Sequence, residues 1–356
     1  MTQLLGHRLP VHATANPLLQ RELGEKLRKR GALAGMLGEL EPMAIRLGLM
    51  QNSLKPTFRD PHLLIFAADH GIAVDGLRGP DGLATDVQVR RLLEGRLPVS
   101  VFARQQDMAL TVVDAGVAEP VMRHEQLLVR KIAHGTRHAR LGAAMTAEQM
   151  RAAVSAGVEI GAALPGNLAA LAGIGVGGFE SSAMVLARLT RAPVRELLLS
   201  GPRMNPDDLA HLLMIAQGVE SRQRVSTDPL EVLAAFGGFE MAMMVGVMLA
   251  TASRRGLIMV DGLQALAALA VASRLAPAIV DYCVFCRSHR HQGLDRAMAL
   301  FKASAVLELG LDCTDGTGAA LSWPLIRCAA ALMSDVVDGE DPGPTLPQPL
   351  DVIEQL

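Results

Sequence analysis

The sequence has few aromatic residues and no long run of charge of one sign. Aromatic residues make up 3% of its 356 residues, although half of all residues are hydrophobic. The interior must therefore be built mainly from Ala, Leu, Val and Met, a mixture that favours helices. The formal net charge is −2 and the charged residues are scattered. Nucleic acid and anionic lipid surfaces are therefore poor candidates as partners.

Cysteine is scarce as well. Four cysteines in a chain of this size do not suggest a disulfide scaffold. Cys283, Cys286, His289 and His291 have a spacing that could hold zinc. However, Cys283 lies in an apolar run that predicts a buried strand, where cysteine behaves as a small hydrophobic residue and residues three apart point to opposite faces. Packing is therefore favoured over metal binding, and no metal site is assigned.

Long apolar segments that would suggest targeting or membrane insertion are not convincing. The first residues, MTQLLGHRLPVHATANP, lack an apolar stretch long enough for a signal peptide, so we expect a cytoplasmic protein. Residues 232–250 are apolar over about the length of a membrane span. They include Gly237, Gly238 and Glu240, so buried helices explain this segment better than membrane insertion.

Short apolar runs alternate along the chain with longer Ala- and Leu-rich stretches. The runs predicted as buried strands are residues 63–69, 110–114, 257–261 and 279–285, with 194–200 as a further candidate. The stretches predicted as helices are residues 86–104, 146–163, 207–220, 229–253 and 264–275. This alternation predicts an α/β fold, a parallel sheet with helices on both faces.

The two ends of the chain predict a second, smaller domain. Residues 1–58 and 311–340 read as helical and are expected to pack together, whereas residues 59–310 form the large α/β domain. Residues 341–356 form a proline-rich tail that cannot continue a helix and is predicted to lie over the surface.

Acidic residues collect where three predicted strands end. Asp69, Asp114 and Asp261 are each followed by glycine, directly or after one residue. Ligands of open parallel sheets bind beyond the carboxyl ends of the strands, so these residues predict the rim of a shared cleft. The alternative is that Asp and Gly only make good turns between strand and helix.

Two glycine-rich segments open predicted helices. Residues 173–182 precede one helical pattern, and Gly316-Thr-Gly318 precedes another. Exposed backbone N–H groups at such helix starts can bind phosphate. The first segment has neither the spacing of a dinucleotide fingerprint nor the lysine of a P-loop. Asp315, directly before the second segment, is either a catalytic base beside an anionic ligand or only part of a helix start.

One short element occurs twice, as Gly177-Gly-Phe-Glu180 and as Gly237-Gly-Phe-Glu240. The surroundings of the two copies differ. We interpret them as the same turn chemistry used twice rather than as a duplicated domain.

Several segments share their order and spacing with one enzyme family. They are residues 69–76, 103–105, 113–117, 131–136, 144–146, 228–229, 237–240, 260–262 and 315–319. Together they resemble the nicotinate-nucleotide:dimethylbenzimidazole phosphoribosyltransferases, and the match spans roughly residues 30 to 335. The resemblance implies a Rossmann-like α/β domain, a small helical domain from both chain ends, and a homodimer. A heterodimer with a paralogue is the other assembly that we consider.

The resemblance also implies a reaction. The family moves 5-phosphoribosyl from nicotinate mononucleotide to an aromatic base acceptor, dimethylbenzimidazole, and makes the α-ribazole phosphate of cobalamin biosynthesis without a metal or cofactor. A glutamate takes the azole N–H proton while the other ring nitrogen attacks the anomeric carbon and nicotinate departs. Asp315 occupies the place of that glutamate, so the resemblance assigns it as the general base.

The remaining site residues are also assigned by the resemblance. Those assigned to the phosphate and nucleotide are Gly177, Ser181, Ser182, Gly201, Arg203, Gly316, Thr317 and Gly318. Those assigned to the base pocket are Asp69, His70, Gly71, Gly238 and Glu240.

The chain departs from the family pattern at several of these places. Asp315 is one methylene shorter than glutamate, and a displacement of about 1 Å can cost on the order of 10²-fold in rate. Glu180 replaces an amide and puts negative charge where a phosphate is expected. A lysine of the family aligns near His211, and Arg203 is the candidate to compensate. The basic residues in a further site segment either bind phosphate or form a solvated loop; they are Arg287, His289, Arg290 and His291.

Two functions therefore stay open. The first is a phosphoribosyltransferase whose acceptor or donor can differ from that of the family. The second is a paralogue with weak or no turnover that binds nucleotide or partners an active subunit.

Overall fold

The computed structural model describes residues 2–4, 7–29, 35–78, 82–198, 206–221, 227–287, 292–313 and 315–336. The chain divides into two compact units, one made of Met1–Thr14 with Phe58–Leu325 and the other of Ala15–Thr57 with Ile326–Leu356. Whether these units act as the two predicted domains, with boundaries near residues 58 and 310, stays a prediction. The proposed tail, residues 341–356, lies outside the described residues.

The strands form a small hairpin and a large sheet. The hairpin pairs β1 (Thr2–Leu4) with β2 (His7–Leu9) in antiparallel orientation. Among the described residues, the large sheet contains seven strands, which are β3 (His62–Ala68), β4 (Ala109–Gly116), β5 (Leu127–Val129), β6 (Leu168–Ile174), β7 (Leu257–Val260), β8 (Cys283–Arg287) and β9 (Ala305–Leu307). Its order is β5-β4-β3-β6-β7-β8-β9, and every neighbouring pair is parallel. The predicted parallel α/β fold is thereby confirmed.

Helices surround the sheet and also form most of the described part of the smaller unit. They are α1 (Pro17–Arg28), α2 (Leu40–Gln51), α3 (Thr85–Leu93), α4 (Pro98–Gln105), α5 (Ala147–Ala163), α6 (Gly178–Thr190), α7 (Val194–Leu198), α8 (Pro206–Glu220), α9 (Pro229–Phe236), α10 (Phe239–Ser253), α11 (Leu263–Leu275), α12 (Gln292–Ala299) and α13 (Thr317–Ser334). Side chains fix several of their starts. Thr146 forms a capping box with Gln149 at α5, and Asp228 accepts hydrogen bonds from the first N–H groups of α9.

Helix α10 is the centre of the core. Fourteen of its residues are buried, including Glu240 in its first turn. It packs closely on α5, because a Cβ added to Gly157 would lie 2.0 Å from the Met243 oxygen and one added to Gly246 would lie 2.2 Å from the Val154 oxygen. In the described residues, no helix is both long enough and apolar enough to cross a membrane. The apolar segment at residues 232–250 instead belongs to α9 and α10.

Several sequence predictions of secondary structure were wrong. Residues 194–198 of the run predicted as a strand form the helix α7 instead, a short helix that follows Pro193 and in which Leu197 and Leu198 are buried. The predicted strand at 279–285 begins only at Cys283, after a 3₁₀ turn at Pro277–Tyr282. The predicted helices at 229–253 and 86–104 are each two helices. The first breaks at Gly237-Gly238, and the second breaks before Pro98.

Candidate active site

The carboxyl ends of the parallel strands bring the predicted acidic residues to one edge of the sheet. Asp69 directly follows β3, Asp114 lies near the end of β4, and Asp261 directly follows β7. Asp114 and Asp261 are only 2% and 1% exposed, whereas Asp69 is partly exposed. The edge is therefore shared, but only Asp69 of these three carboxylates reaches solvent.

Asp69 and Asp114 organise the loops that leave their strands. Asp69 accepts a hydrogen bond from the Thr85 hydroxyl through Oδ1 and one from the Ala118 N–H at 2.7 Å through Oδ2. Asp114 accepts from the Val117 N–H at 2.9 Å, and its other oxygen lies 3.3 Å from the Lys131 ammonium. These contacts agree with the alternative interpretation of the sequence, in which Asp residues at strand ends stabilise the turns that follow.

Asp261 forms a buried ion pair with Arg287, the last residue of β8. The Arg287 Nε donates to Asp261 Oδ1 at 2.6 Å, and the Arg287 Nη1 donates to the Leu311 carbonyl at 2.7 Å. The second oxygen of Asp261 accepts from the Ala319 N–H at 3.0 Å, in the first turn of α13. Arg287 is 2% exposed, so the solvated loop, one of the two interpretations of this segment, is wrong for Arg287. It holds the start of α13 against the ends of β7 and β8.

The glycine-rich segment after β6 is tightly folded over the end of β3. The Val176 N–H donates to the Thr85 hydroxyl at 3.0 Å, and the Val176 carbonyl accepts from the His70 N–H at 3.2 Å. Gly175 has a φ of +137°, and a Cβ there would lie 1.8 Å from the Ala68 oxygen. Gly177, with a φ of +85°, caps α6. The first turn of α6 therefore begins directly beside β3.

The two predicted phosphate-binding serines lie inside the helix packing. Ser181 is 2% exposed and Ser182 is fully buried. The Ser182 hydroxyl donates to the Gly178 carbonyl at 2.6 Å, so it is used within α6.

The residues assigned to the base pocket form a buried cluster. The His70 Nε2 lies 2.9 Å from Glu240 Oε1, and the two side chains are 1% and 0% exposed. Burial by itself would lower the pKa of His70, but the charge of Glu240, followed by Asp69 and Glu180, raises the pKa overall. Gly238 leaves room for this pair, since a Cβ there would lie 2.3 Å from both the His70 ring and Glu240. The Gly71 N–H donates to the Thr136 hydroxyl at 3.1 Å.

Asp315 takes part in the start of α13. Its Oδ1 accepts from the Thr317 N–H at 3.1 Å and from the Thr317 hydroxyl at 2.7 Å. The residue is partly exposed. Gly316 has a φ of +94°, and a Cβ on Gly318 would lie 2.5 Å from the Arg287 side chain, so the glycines let the chain turn tightly here. Burial, followed by the charge of Asp315, raises the pKa of nearby Cys313 to about 11, which keeps that thiol protonated.

Some predicted positions fall outside the described residues. They are Gly201, Arg203, His289, Arg290 and His291. Within the residues that the structure describes, no group of three or more His, Cys, Asp or Glu side chains is arranged to hold a metal ion. Cys283 and Cys286 are both buried in β8, and burial raises the pKa of Cys286 well above its usual range.

Sequence reasoning missed several residues near this edge. The Thr85 hydroxyl bridges Asp69 and the glycine-rich segment. The only sequence feature that could have pointed to Thr85 was its place at the start of a predicted helix. Gln264, at the start of α11, lies against α6, because a Cβ on Gly178 would be 2.6 Å from its Nε2. His211, which aligned with a lysine of the family, donates from Nε2 to the Asp75 carbonyl at 2.8 Å.

Comparison with known proteins identifies the family. A sequence model described as Phosphoribosyltransferase matches residues 13–343. The chain is 38% identical over 330 residues to the nicotinate-nucleotide–dimethylbenzimidazole phosphoribosyltransferase of Cupriavidus taiwanensis, with 92% of this chain and 94% of the relative covered. A protein of the same name from a Janthinobacterium species is 34% identical over 335 residues, with 93% and 97% covered.

A solved structure agrees with these relatives. The crystal structure of the nicotinate-nucleotide–dimethylbenzimidazole phosphoribosyltransferase of Thermus thermophilus matches with a TM-score of 0.82 and 27% identity, over 90% of this chain and 96% of that one. These matches confirm the resemblance drawn from the sequence, and the chain belongs to the phosphoribosyltransferase family.

Proposed function

We propose that this protein transfers 5-phosphoribosyl from nicotinate mononucleotide to dimethylbenzimidazole and makes α-ribazole phosphate. The bond between the anomeric carbon and the nicotinate nitrogen breaks with its electron pair going to nicotinate. A bond from one benzimidazole nitrogen to that carbon forms, and the proton on the other nitrogen goes to a carboxylate. The relatives that cover almost the whole chain carry the name of this activity, which supports the proposal.

We propose Asp315 as that carboxylate. The supporting observation is its position: it is partly exposed, and it directly precedes the tight glycine turn that starts α13. Two other carboxylates at this edge of the sheet are in buried pairs, Asp261 with Arg287 and Glu240 with His70. The two hydrogen bonds from Thr317 fix the side chain at Oδ1, an orientation that would leave Oδ2 for the azole proton. We further propose that the amino ends of α6 and α13 hold the nucleotide.

The test is to incubate the protein with nicotinate mononucleotide and dimethylbenzimidazole and to measure nicotinate release and the mass of the nucleoside phosphate product. Phenolic and adenine acceptors are tested in parallel. If nicotinate is released only with another acceptor, the proposed acceptor is wrong but the protein is still a phosphoribosyltransferase. No release with any acceptor would favour the second function, a paralogue that binds nucleotide or partners an active subunit; Glu180 at the start of α6 is the observation that favours it.

We also propose a homodimer, which sedimentation of the purified chain will test. A requirement for a second, different chain to restore turnover would indicate a heterodimer instead. The cytoplasmic location stays a prediction.

A further inference from the structure

Arg287 holds the chain on both sides of Asp315. Its Nη1 donates to the Leu311 carbonyl at 2.7 Å, before Asp315 in sequence, and its Nε donates to Asp261 Oδ1 at 2.6 Å. The second oxygen of Asp261 accepts from the Ala319 N–H at 3.0 Å, after Asp315 in sequence. The ion pair of Asp261 and Arg287 is therefore bonded to the chain before and after Asp315.

The start of α13 also packs closely on β8. A Cβ added to Gly318 would lie 2.5 Å from the Arg287 Cδ and 2.9 Å from Asp261 Oδ1, so only glycine allows this approach. The Ser322 hydroxyl, one turn further along α13, lies 2.8 Å from the Gly318 carbonyl oxygen and 2.8 Å from that of Cys286, the residue before Arg287. A shift of the Arg287 side chain would therefore be passed to the start of α13.

The cost of burying two charges makes stability a poor explanation for this ion pair. Both side chains are fully shielded from solvent. Replacing a buried ion pair by apolar side chains is often neutral or stabilising, because the desolvation cost is removed. Apolar side chains, however, can neither donate to the Leu311 carbonyl nor accept from the Ala319 N–H. What the ion pair adds is a fixed position for the chain around Asp315.

The two contacts of Arg287 require an arginine. Nε and Nη1 are different nitrogens of one planar guanidinium, so the distance between the two donors is fixed. A lysine at this position would keep the charge, but it has a single nitrogen on a flexible stem. The charge of Asp315 also acts on the guanidinium of Arg287, which places the two side chains near each other.

Asp315 and Arg287 both belong to segments in which this chain departs from the family pattern. Asp315 is one methylene shorter than glutamate, so the reach of its carboxylate depends more strongly on where its backbone is held. A displacement of about 1 Å at a reacting group can cost on the order of 10²-fold in rate. The bonds made by Arg287 and Asp261 oppose such a displacement.

We propose that Arg287 is a positioning residue for the reaction: together with Asp261 it holds the Asp315 carboxylate at the place where that group takes the azole proton. This inference rests on the proposed role of Asp315 and adds the residue on which that role depends. Arg287 is 2% exposed, so it acts through Asp315 rather than on a substrate.

Arg287→Lys in two backgrounds tests this inference. The kcat for nicotinate release is measured at saturating nicotinate mononucleotide and dimethylbenzimidazole, so that weaker binding does not contribute. In the wild-type background we expect kcat to fall roughly 10- to 10²-fold, because the carboxylate is displaced. In Asp315→Asn, which already lacks the base, Arg287→Lys should lower kcat by less than about twofold. A purely structural role would lower kcat by the same factor in both backgrounds.

Arg296→Lys is the matched control. The Arg296 Nε is paired with Glu196 Oε2 at 2.7 Å, a contact of the same kind, but these side chains are 52% and 35% exposed. Arg296→Lys should leave kcat unchanged in either background. An equal loss of kcat from Arg287→Lys in the two backgrounds would overturn the inference, and so would wild-type kcat in Arg287→Lys.

A second variant separates positioning from folding. Asp261→Leu with Arg287→Met removes both charges and leaves neither of them unpaired, so urea unfolding should show a folded protein. We expect its kcat to fall at least as far as that of Arg287→Lys, since the contacts to Leu311 and Ala319 are both lost. A folded double variant with the kcat of the wild type would contradict the inference.

Hydrogen exchange separates this inference from the proposed function. Wild-type kcat in Asp315→Asn would refute the base and this inference with it. If the wild-type protein releases no nicotinate with any acceptor, the proposed transferase is refuted, and exchange of the Ala319 amide then decides whether Arg287 holds this segment. Peptides that contain Ala319 should exchange roughly tenfold faster in Arg287→Lys than in the wild type or Arg296→Lys. Exchange at the wild-type rate in Arg287→Lys would show that Arg287 does not position the segment.

Discussion

The Nε of Arg287 lies 2.6 Å from the Oδ1 of Asp261, and both side chains are fully shielded from solvent. This contact joins the ends of two neighbouring strands, β7 and β8. Through the Ala319 N–H, which donates to the other Asp261 oxygen at 3.0 Å, it also joins them to α13. The helix start that carries Asp315 is therefore fastened by a buried ion pair.

Asp261→Asn should destabilise the protein by about 3–5 kcal/mol, because it leaves the guanidinium of Arg287 buried without its charge partner. The free energy of unfolding in urea measures this effect. Asp207→Asn, at an exposed position of α8, is the control and should change stability by less than about 0.5 kcal/mol. The double variant Asp261→Leu with Arg287→Met should be more stable than Asp261→Asn. If Asp261→Asn and Asp207→Asn lower the free energy of unfolding equally, the Asp261–Arg287 ion pair has no structural role.

Asp315→Asn should lower kcat for nicotinate release on the order of 10²–10⁴-fold, because an amide cannot accept the azole proton. The fold should persist, since the amide oxygen can still accept from Thr317 as Asp315 Oδ1 does. Asp315→Glu should retain release, because it keeps a carboxylate. Glu308→Gln, an exposed residue nearby in sequence, is the control. Wild-type kcat in Asp315→Asn would rule this residue out as the base.

The sequence was sufficient to predict the parallel sheet, because strands β3, β4 and β7 are mostly apolar runs with an Asp at or directly after their carboxyl ends. Strand β6 was not predicted. Its residues, Leu168–Ile174, are mostly alanine, leucine and glycine, which have no strong preference for strands. Its place in the centre of the sheet, between β3 and β7, overrides that weak local preference.

The candidate site was predictable only in part. The carboxyl-edge rule and the family resemblance led to Asp69, His70 and Glu240, but no local pattern reveals that His70 and Glu240, 170 residues apart, form a buried pair. The same holds for Asp261 and Arg287. Charged residues are expected at the surface unless they are paired, and the pairing depends on how the strands and helices are arranged in space.

Gly157→Ala should destabilise the protein by about 1–3 kcal/mol. The added Cβ would lie 2.0 Å from the Met243 carbonyl oxygen, so α5 and α10 would have to move apart. Gly142→Ala is the control, since no heavy atom lies within 4 Å of the added Cβ. The free energies of unfolding of both variants in urea test this close packing of α5 on α10. If Gly157→Ala is as stable as Gly142→Ala, the close packing of the two helices is wrong.

Cys328 should react with iodoacetamide much faster than Cys313 at pH 8. Cys328 is exposed, whereas burial and the charge of Asp315 raise the pKa of Cys313 to about 11. Only the thiolate reacts, and about one Cys313 thiol in 10³ is ionised three pH units below its pKa. Peptide mass spectrometry after short labelling times measures the two rates, with Cys328→Ser as the control that removes the fast site. Equal labelling of both cysteines would contradict the half-buried, anionic surroundings of Cys313.

The stabilising effect of Glu240 should depend on pH through His70. The pKa of His70 is raised in the folded protein, mainly by the charge of Glu240 against the opposing effect of burial. Its contribution to stability is therefore fully present below the unfolded pKa of about 6.5 and is lost as pH rises through the folded pKa. Urea unfolding of wild type and Glu240→Gln at pH 6 and pH 9 measures this. The free energy of unfolding of the wild type should exceed that of the variant by more at pH 6 than at pH 9, because His70 carries at pH 6 the charge that Glu240 stabilises. Glu180 is present in both proteins, so its own titration largely cancels in the difference. A difference that is constant or grows with pH would show that His70 is not the cationic partner of Glu240.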